Sequence, residues 1–258
     1  MKTEIKQAIL EANVTLHQRE ASLYDQIHPE LNSEQEINRL NRLLDLVSTQ
    51  EGVRTALDIG AGTGFVSSYL LKKGYSVKAV DISKEMLEIL DKKLGHEPKI
   101  SSEVSDADSF LAKNKEKYHV ITSSSVLHHL PDYETSIAEM ANHLADGGYL
   151  LFFHEPTAHR ASLIEKFLRR VDYKLFHIVL LRKGLYRKLK SAKLSYKMAD
   201  YHVTHGFDDE KVINVLEKNG FEIVKIEKYI TTQTKLMQKI FQTFFAPSTW
   251  SLLARRKQ

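Results

Sequence analysis

The chain has 258 residues, of which 42% are hydrophobic and 27% are charged, and its formal net charge is +4. This length suits one large α/β domain, or a domain core with an insertion. The chain contains no cysteine, which excludes disulfides, iron–sulfur clusters and thiol nucleophiles. No apolar run reaches the roughly 20 residues that a transmembrane helix needs. The N-terminus lacks the apolar core of a signal peptide, so a cytoplasmic location is expected.

The first 50 residues have a helical pattern. The segment Ser33–Glu36 is a capping box, and apolar residues then recur at helical spacing. We therefore expect a helical cap over residues 1–50. Within this cap Tyr24 and His28 are candidate lid contacts to a ligand, although a turn fixed by Pro29 explains the same pattern.

A glycine-rich turn follows the first predicted strand. Residues 55–67 read TALDIGAGTGFVS, in which a short apolar run carries Asp58 and then breaks into Gly60, Gly62 and Gly64. Such a strand, turn and helix presents free backbone N–H groups to a ligand without a Cβ in the way. Asp58 suits a positively charged ligand group. The spacing differs from the G-x-G-x-x-G dinucleotide fingerprint, whose third glycine would stand at Phe65.

The second strand ends at Asp81, 21 residues after Gly60. An acidic residue at this point of a doubly wound fold can accept hydrogen bonds from both ribose hydroxyls of a nucleotide. The alternative is a helix cap or a solvated carboxylate. Ile82 and Met86 are candidates to pack on the face of a purine, while the helical spacing of Met86 also fits a core residue.

A weaker third strand over residues 99–104 leads into Asp106-Ala107-Asp108. A carboxylate at this strand end can accept a hydrogen bond from the exocyclic amine of adenine. Asp106 comes directly after the strand and is preferred over Asp108. An Asp that only caps the next helix is the alternative.

The fourth strand, YHVITSSS from Tyr118, ends in Ser123 and Ser124 and continues into VLHHLPD. This strand is expected beside the first, at the topological switch point where ligands bind. His128 and His129 then lie at the mouth of that crevice, as candidate general bases or as structural histidines. A helix carrying Ile137, Ala141 and Leu144 is expected to end at Gly147-Gly148. A fifth strand, YLLFFHE, ends at Glu155, a weaker base candidate.

Residues 157–205 interrupt the alternation of strands and helices. Between positions 159 and 201 there are twelve Lys or Arg residues and three acidic residues, a net charge of +9 within a chain of +4. In this insertion Leu163, Phe167, Val171 and Leu175 recur every four residues. The segment fits a helical lid over the site, a membrane or RNA contact, or a helix that caps the sheet with solvated charges. Two further strands and one helix follow in residues 206–258.

This set of motifs resembles the class I S-adenosylmethionine (SAM)-dependent methyltransferases. The resemblance is carried by LDIGAGTG, the strand that ends at Asp81, DAD, SSSVLHHLPD and LADGGYLLFFHEP, in that order. It implies an α/β fold with a doubly wound, mostly parallel, seven-stranded sheet covered by helices on both faces. The domain plan is then a helical cap (1–50), a SAM-binding core (51–156), a basic helical insertion (157–205) and the rest of the core (206–258).

The resemblance also implies roles for individual residues. Asp58 and the three glycines would surround the methionine part of SAM, Asp81 and Asp106 would bind ribose and adenine, and no metal is expected. The other candidate cofactor contacts are Ile82, Met86, Ala107, Ser123 and Ser124. Tyr24, His28 and Glu155 are candidate substrate or lid residues, and His128 and His129 are candidate catalytic residues.

The leading hypothesis from the sequence is a SAM-dependent methyltransferase for a small or lipid-like acceptor, with no stable partner protein. The alternatives are an RNA-modifying methyltransferase, a nucleotide-dependent reductase of the same fold and a SAM-binding module without activity. Methylation of adenine N6 is disfavoured, because Ser-Ser-Ser-Val stands where enzymes for that reaction have Asn/Asp-Pro-Pro-aromatic. The methyl acceptor and the oligomeric state stay open.

Overall fold

The computed structural model describes residues 2–29, 31, 33–47, 54–157, 161–182, 198–205 and 207–257. Its strands form one seven-stranded sheet in the order β3-β2-β1-β4-β5-β7-β6. Strand pairs from β3 to β5 are parallel, whereas β7 runs antiparallel to both β5 and β6. The strands are β1 (Thr55–Ile59), β2 (Ser76–Asp81), β3 (Ile100–Val104), β4 (Tyr118–Ser124), β5 (Leu144–Pro156), β6 (Phe221–Tyr229) and β7 (Thr249–Arg256).

Helices precede, connect and follow these strands. In the described ranges they are α1 (Thr3–Glu20), α2 (Tyr24–Ile27), α3 (Glu34–Asp45), α4 (Phe65–Lys72), α5 (Lys84–Leu94), α6 (Ala107–Lys113), α7 (Tyr133–Asn142), α8 (Leu163–Arg182), α9 (Tyr201–Thr204), α10 (Asp209–Lys218) and α11 (Lys235–Phe244). Short 3₁₀ turns cover Ala21–Leu23 and Leu127–His129. The helical cap and the helical start of the insertion are therefore present, and residues 183–197 lie outside the described part.

The sheet is buried on both faces, which explains its near-continuous apolar strands. One apolar cluster joins Leu57 and Ile121 to side chains of α7 and α10. A second cluster, on the other face, joins Ala56 and Val120 to side chains of α3 and α4. Successive strand residues point to opposite faces, so both faces are packed in apolar side chains. The expected doubly wound architecture is confirmed.

Side-chain caps fix several helix starts where the sequence indicates them. Ser33, Ser83 and Asp208 accept a hydrogen bond from the backbone N–H groups of Glu36, Met86 and Lys211, respectively. Each bond satisfies an N–H that has no partner inside its helix. These caps help to set where α3, α5 and α10 begin.

The boundary between α7 and β5 differs from the expectation. The helix ends at Asn142, and β5 begins at Leu144, before the Gly147-Gly148 pair that was predicted to end the helix. Leu144 pairs with Tyr118 of β4, and the register shifts between Tyr118 and Val120. Gly147 takes a φ of +66°, so the glycine pair accommodates a bulge inside the strand rather than a helix end.

The helix α11 was not anticipated from the sequence. It packs on the insertion helix α8, with Met237 and Phe241 against Leu168 and Leu175. In the part of the chain that the structure describes, no helix is both long and apolar enough to cross a membrane.

Candidate active site

The glycine loop joins β1 to α4 and lies under the carboxyl end of β2. The backbone N–H groups of Gly60 and Ala61 both donate to the Val80 carbonyl, at 2.7 and 3.0 Å. Gly62 has a φ of +54°, and a Cβ built there would have no atom within 4 Å. Its N–H donates to Oδ2 of Asp81 at 2.8 Å. The loop therefore keeps open space at Gly62, at the end of the second strand.

The other two glycines of the motif are required for packing. A Cβ at Gly60 would lie 2.2 Å from a Val126 methyl, and a Cβ at Gly64 would lie 2.9 Å from a Leu94 methyl. Both distances are shorter than real carbon contacts. Gly64 also takes a φ of +90° as the residue before α4, which disfavours a side chain. It lies outside the cavity walls described next, whereas Gly60 and Gly62 belong to them.

A cavity opens against the loop, and we call it the loop cavity. Its walls come from the carboxyl ends of the strands, from the segment after β4 and from the helical cap. Predicted site residues in these walls are Tyr24, Gly60, Gly62, Asp81, Ile82, Met86, Asp106, Ala107, Ser124 and His129. The structure thus brings together residues that the sequence places far apart.

Asp81 is buried at the base of the loop cavity. Its Oδ1 accepts from the Ser83 N–H and its Oδ2 from the Gly62 N–H, both at 2.8 Å. Burial raises the pKa of this carboxyl, while these backbone bonds and the nearby His17 act in the opposite direction. Each carboxylate oxygen has a second lone pair, so the two backbone bonds leave acceptor capacity for a ligand.

Asp106 and Asp108 have different environments. Asp106 lines the loop cavity, and its Oδ1 accepts from the Ser109 N–H at 2.9 Å as the N-cap of α6. Asp108 accepts a hydrogen bond from Ser136 Oγ at 2.6 Å and is not in the cavity wall. Asp106 therefore combines both of its alternative roles, a helix cap and a cavity residue. Met86 also has two roles. Its side chain is 1% exposed and belongs to the core, and it contributes to the wall of the loop cavity.

Asp58 is held beneath the glycine loop by two hydroxyl groups. Ser67 Oγ donates to its Oδ2 at 2.6 Å, and Thr122 Oγ1 donates to its Oδ1 at 2.8 Å. Burial raises the pKa of Asp58 to about 6, although these hydrogen bonds favour the ionised form. Asp58 contributes to a smaller cavity under the loop, which it shares with Gly62 and Ser124. A cationic ligand group next to that cavity would favour the ionised carboxylate.

The two predicted serines at the end of β4 are placed differently. Ser124 lines both the loop cavity and the smaller cavity below it. Ser123 is fully buried, and its Oγ has no hydrogen-bond partner. Its hydroxyl therefore lies behind Ser124 and does not line either cavity.

A second cavity adjoins the first, and we call it the histidine cavity. Five histidines line it, together with Glu20, Asp200 and several apolar side chains: His17, His28, His128, His129 and His154. His17, Tyr24, Ser125 and His129 line both cavities. The two cavities therefore meet at these four residues.

His128 is paired with a buried carboxylate. Its Nδ1 lies 2.8 Å from Oε2 of Glu155, which is fully buried at the end of β5. The other oxygen of Glu155 accepts from the N–H groups of Val126 and Leu127, at 2.8 and 3.0 Å. Glu155 is absent from the walls of both cavities. It lies behind the imidazole and orients it.

His129 lies in the wall between the two cavities. Its Nδ1 lies 2.9 Å from the Ala199 carbonyl, which accepts the Nδ1 hydrogen. Burial lowers the pKa of His129 well below its ordinary value, and the neighbouring His128 and His17 act in the same direction. This imidazole is therefore neutral near pH 7, with its hydrogen on Nδ1.

One group of side chains in this region has the spacing of a metal site. His128, His129 and Asp200 each offer a ligand atom within 4.8 Å of the others. Imidazole and carboxylate ligands suit divalent transition metals. The expectation of a metal-free site stays a prediction.

Sequence reasoning missed the contribution of α1 to the loop cavity. Leu10, Asn13 and His17 line it from the helical cap. Asn13 is buried, its amide donates to the Ile9 and His129 carbonyls, and its Oδ1 has no partner. A buried amide oxygen without a partner in a cavity wall is an acceptor available to a ligand. Two polar residues four apart on one helix face were the only signal for this role.

The predicted lid pair lies where the cavities meet. The rings of Tyr24 and His28 are 4.5 Å apart, and His28 Nε2 is 4.0 Å from Oε2 of the buried Glu20. Asp25, from the same short helix, accepts a hydrogen bond from Thr63 of the glycine loop at 2.5 Å. The cap therefore contacts the loop directly.

The chain is similar to known methyltransferases in sequence and in fold. A model of the methyltransferase domain family matches residues 32–226. An O-methyltransferase of ubiquinone biosynthesis from Hydrogenovibrio crunogenus is 30% identical over 100 residues, 38% of this chain and 42% of that protein. A malonyl-[acyl-carrier protein] O-methyltransferase from Halalkalibacterium halodurans is 31% identical over 121 residues, 45% of each chain. The chain therefore spans less than half the length of these curated relatives.

Solved structures share the fold at low sequence identity. Magnesium protoporphyrin IX methyltransferase from Synechocystis, with bound S-adenosylhomocysteine, has a TM-score of 0.59 at 15% identity and covers 97% of this chain and 100% of its own. Phosphoethanolamine N-methyltransferase 2 from Haemonchus contortus has a TM-score of 0.61 at 15% identity, covering 98% and 60%. The family model covers most of the chain and agrees with the sequence motifs. The chain therefore belongs to the class I S-adenosylmethionine-dependent methyltransferases.

Proposed function

We propose that the chain transfers a methyl group from SAM to a hydroxyl group of a small or lipid-like acceptor. The observation that carries this proposal is the His128–Glu155 pair, in which His128 lines the histidine cavity next to the loop cavity and Glu155 lies behind it. In this proposal the loop cavity holds the methyl donor and the histidine cavity holds the acceptor. The shared wall at His17, Tyr24 and His129 is then where the two molecules meet.

The polar groups and the open space of the loop cavity support SAM as its ligand. The cavity is open at Gly62, where any side chain would intrude, and Asn13 Oδ1 offers an acceptor without a partner. We assign the ribose hydroxyls to Asp81 and the adenine amine to Asp106. Ile82 and Met86 supply apolar surface for the base, and Asp58 with the glycine loop supports the methionine part. When bound, SAM supplies an electrophilic methyl group on a positively charged sulfur.

His128 is the proposed general base. Because Glu155 accepts two backbone N–H bonds through Oε1, its Oε2 is available to accept the Nδ1 hydrogen of His128. This fixes the neutral tautomer in which Nε2 carries the lone pair. A neutral Nε2 can accept the proton of a hydroxyl group, which is a poor nucleophile until that proton is lost. Glu155 acts through His128 and is a positioning residue.

Two kinds of support favour a hydroxyl acceptor. An amine nucleophile that arrives neutral needs no base before it attacks, whereas a hydroxyl gains from one. Both curated relatives described above are named as O-methyltransferases, which favours an oxygen over a nitrogen acceptor. The histidine cavity also has apolar wall residues, Leu16, Leu31 and Pro156, which suit an acceptor with an apolar part.

Donor binding and methyl transfer are tested separately. Calorimetry with SAM, S-adenosylhomocysteine and NADH comes first, and heat from NADH alone would favour a reductase. Release of S-adenosylhomocysteine is then measured across phenols, carboxylic acids, amines and bulk RNA. Turnover confined to carboxylic acids, amines or RNA would contradict the proposed hydroxyl acceptor, and a failure with every acceptor despite tight SAM binding would favour a binding module.

The base assignment has its own variant and control. We expect His128→Gln to lower kcat about 10²- to 10⁴-fold near pH 7, with the SAM Kd unchanged. His96→Gln is the control, because His96 is an exposed residue outside both cavities. Equal turnover of the two variants would remove His128 from the mechanism.

A further inference from the structure

Two helices outside the cavities present large apolar side chains to solvent. On α8, Leu163 is 84% exposed and Phe167 is 63% exposed. On α11, Leu236 is 71% exposed and Phe244 is 74% exposed. Ile164, Ile178, Leu181 and Ile240 are further exposed members of the same two helices. Single exposed apolar residues are common, but a series along two neighbouring helices indicates a contact surface.

The two helices are held together by their other faces. Arg169 of α8 lies over the ring of Phe241 at 4.9 Å and donates to Ser248 Oγ at 3.1 Å. Asp172, one turn further along α8, accepts from Gln233 N at 2.7 Å and from Thr234 Oγ1 at 2.5 Å, just before α11 begins. The helices therefore run in opposite directions. This places the first turns of α8, with Leu163 and Phe167, beside the last turn of α11, with Phe244. The other exposed apolar residues, among them Leu236 and Leu181, continue this surface toward the opposite end of the pair.

The exposed charges of this helix pair are all positive. Glu165 and Asp172, the only acidic residues of α8, are buried, Glu165 against Arg169 and Asp172 in the bonds to the start of α11. The sequence of α11 contains no acidic residue. The exposed cations are Lys166, Arg170, Lys174 and Arg182 on α8 and Lys235 and Lys239 on α11.

We propose that α8 and α11 form a docking surface for the face of an anionic lipid membrane. Amphipathic helices that lie in a membrane interface combine an apolar face with flanking Lys and Arg residues, as this pair does. RNA surfaces also use cations, but they add aromatic platforms on which bases stack. Of the ten large apolar side chains exposed on these helices, six are Leu or Ile, which do not stack on bases, and three are aromatic (Phe167, Tyr173 and Phe244). Together the apolar surface and the cations favour lipid over RNA.

The docking surface is close in the chain to residues that line the histidine cavity. Pro156 and Thr249 line the histidine cavity, α8 begins seven residues after Pro156, and α11 ends five residues before Thr249. The docking surface is thus attached to the acceptor side of the molecule. A lipid-like acceptor would be taken from the membrane on which the protein rests. Docking itself does not depend on the proposed function and is measured without turnover.

The test is cosedimentation of the whole chain with two kinds of vesicle. One contains phosphatidylcholine alone, and the other contains phosphatidylcholine with 30% phosphatidylglycerol, both at low and at physiological salt. We expect binding to the anionic vesicles that weakens with salt. Arg170→Gln with Lys174→Gln should weaken it about 25-fold, or about fivefold for each cation. Phe167→Ser with Phe244→Ser should weaken it roughly tenfold or more.

Matched controls change equivalent residues elsewhere. Lys113→Gln with Lys115→Gln removes two exposed charges near α6, and Val104→Ser removes an exposed apolar side chain on β3. Both should bind anionic vesicles like the unchanged chain, and calorimetry with SAM reports whether each variant is folded. Equal binding to both vesicle types, no binding, or an equal loss in the controls would overturn the proposal. Retention of bulk RNA that needs the cations but not the two Phe residues, without vesicle binding, would also overturn it and identify an RNA surface.

Discussion

The Nδ1 atom of His128 and the Oε2 atom of Glu155 lie 2.8 Å apart, with the carboxylate fully buried. The two residues come from different strand ends, β4 and β5, which are neighbours in the sheet. Strand pairing therefore sets the distance between the imidazole and its carboxylate. The first prediction tests what this pairing does.

Replacement of Glu155 by Gln should invert the tautomer of His128. The Gln carbonyl can still accept from Val126 and Leu127, but its NH₂ group then faces Nδ1 of His128 and requires a lone pair there. Nε2 would carry the hydrogen and could no longer accept a proton. We expect kcat to fall about 10²-fold or more, with the SAM Kd within about threefold of the original value.

Steady-state kinetics of Glu155→Gln, His128→Gln and the double variant check this. Two residues that act as one unit give a double variant no slower than the slower single variant. Losses in kcat that multiply would contradict the pairing. A thermal melt of each variant separates a catalytic loss from a loss of folding.

The buried carboxyl of Asp58 should link stability to pH. Burial raises its pKa to about 6 in the folded chain, against an unfolded value near 4. The unfolded chain therefore loses this proton first as the pH rises. The stabilising contribution of the protonated group is complete below about pH 4 and is lost as the pH reaches about 6. Relative to Asp58→Asn, the free energy of unfolding should fall by roughly 2–3 kcal/mol over that range.

Urea unfolding of both proteins at pH 4.5, 5.5 and 7 measures this difference. The same residue should couple SAM binding to proton release, because a cationic ligand favours the ionised carboxylate. Calorimetry near pH 6 in two buffers of different ionisation enthalpy should show that release only in the unchanged chain. Parallel pH profiles for the two proteins would refute the assignment.

A side chain at Gly62 should block the donor cavity. Gly62→Val places methyl groups in the open space next to the loop, and we expect the SAM affinity to fall about 100-fold. Gly74→Val is the matched control, because Gly74 also has a positive φ of +87° and open space around its Cβ, but it lies outside the loop cavity. Both variants should lose roughly 1–2 kcal/mol of stability from backbone strain. Calorimetry and thermal melts separate the two effects, and equal SAM affinities would contradict the cavity assignment.

Asp106 and Asp108 can be distinguished by replacing each with Ser. Asp106→Ser keeps a capping oxygen for α6 but removes the carboxylate that faces the loop cavity. We expect the SAM affinity to fall about tenfold, the worth of one charge-assisted hydrogen bond. Asp108→Ser should leave the affinity unchanged, because Asp108 is bonded to Ser136 instead. The reverse order in a SAM titration would transfer the adenine contact to Asp108.

Methyl transfer should not require a divalent metal. In the proposed mechanism His128, oriented by Glu155, accepts the acceptor proton, so a Lewis acid is unnecessary for this step. Dialysis against EDTA should leave kcat unchanged, and added Zn²⁺ or Mg²⁺ should not raise it. Loss of activity on chelation, with recovery on metal addition and no recovery in Asp200→Asn, would instead make His128, His129 and Asp200 a metal site.

Most of the sheet and the glycine loop could be predicted from the sequence. All seven strands, the glycine loop and the strand ends at Asp81 and Ser124 follow from apolar runs and turn residues, which are local signals. Neighbouring parallel strands bring their carboxyl ends to one edge, so these residues converge without further information. The family model and the sheet order confirm this part.

The missed features depend on contacts between distant segments. Nothing local shows that α1 covers the loop cavity with Asn13 and His17, since most other walls of that cavity come from residues 59–131. The Gly147-Gly148 pair resembles a helix end, and only pairing of Leu144 with Tyr118 shows that β5 has already begun. The apolar series from Leu163 to Leu175 is regular in sequence, but a spacing of four residues drifts by about 40° per step. It therefore winds from the exposed side of α8 to the face against α11.

The sheet order has a consequence for how the protein is made. The last strand in chain order, β7, lies between β5 and β6 rather than at an edge. Until residues 249–256 leave the ribosome, β5 and β6 have unpaired backbone edges and nothing between them to complete the core. Synthesis must therefore reach β7 before this side of the sheet is complete. A chain shortened by only that strand would lose an interior element and become a target for aggregation or proteolysis.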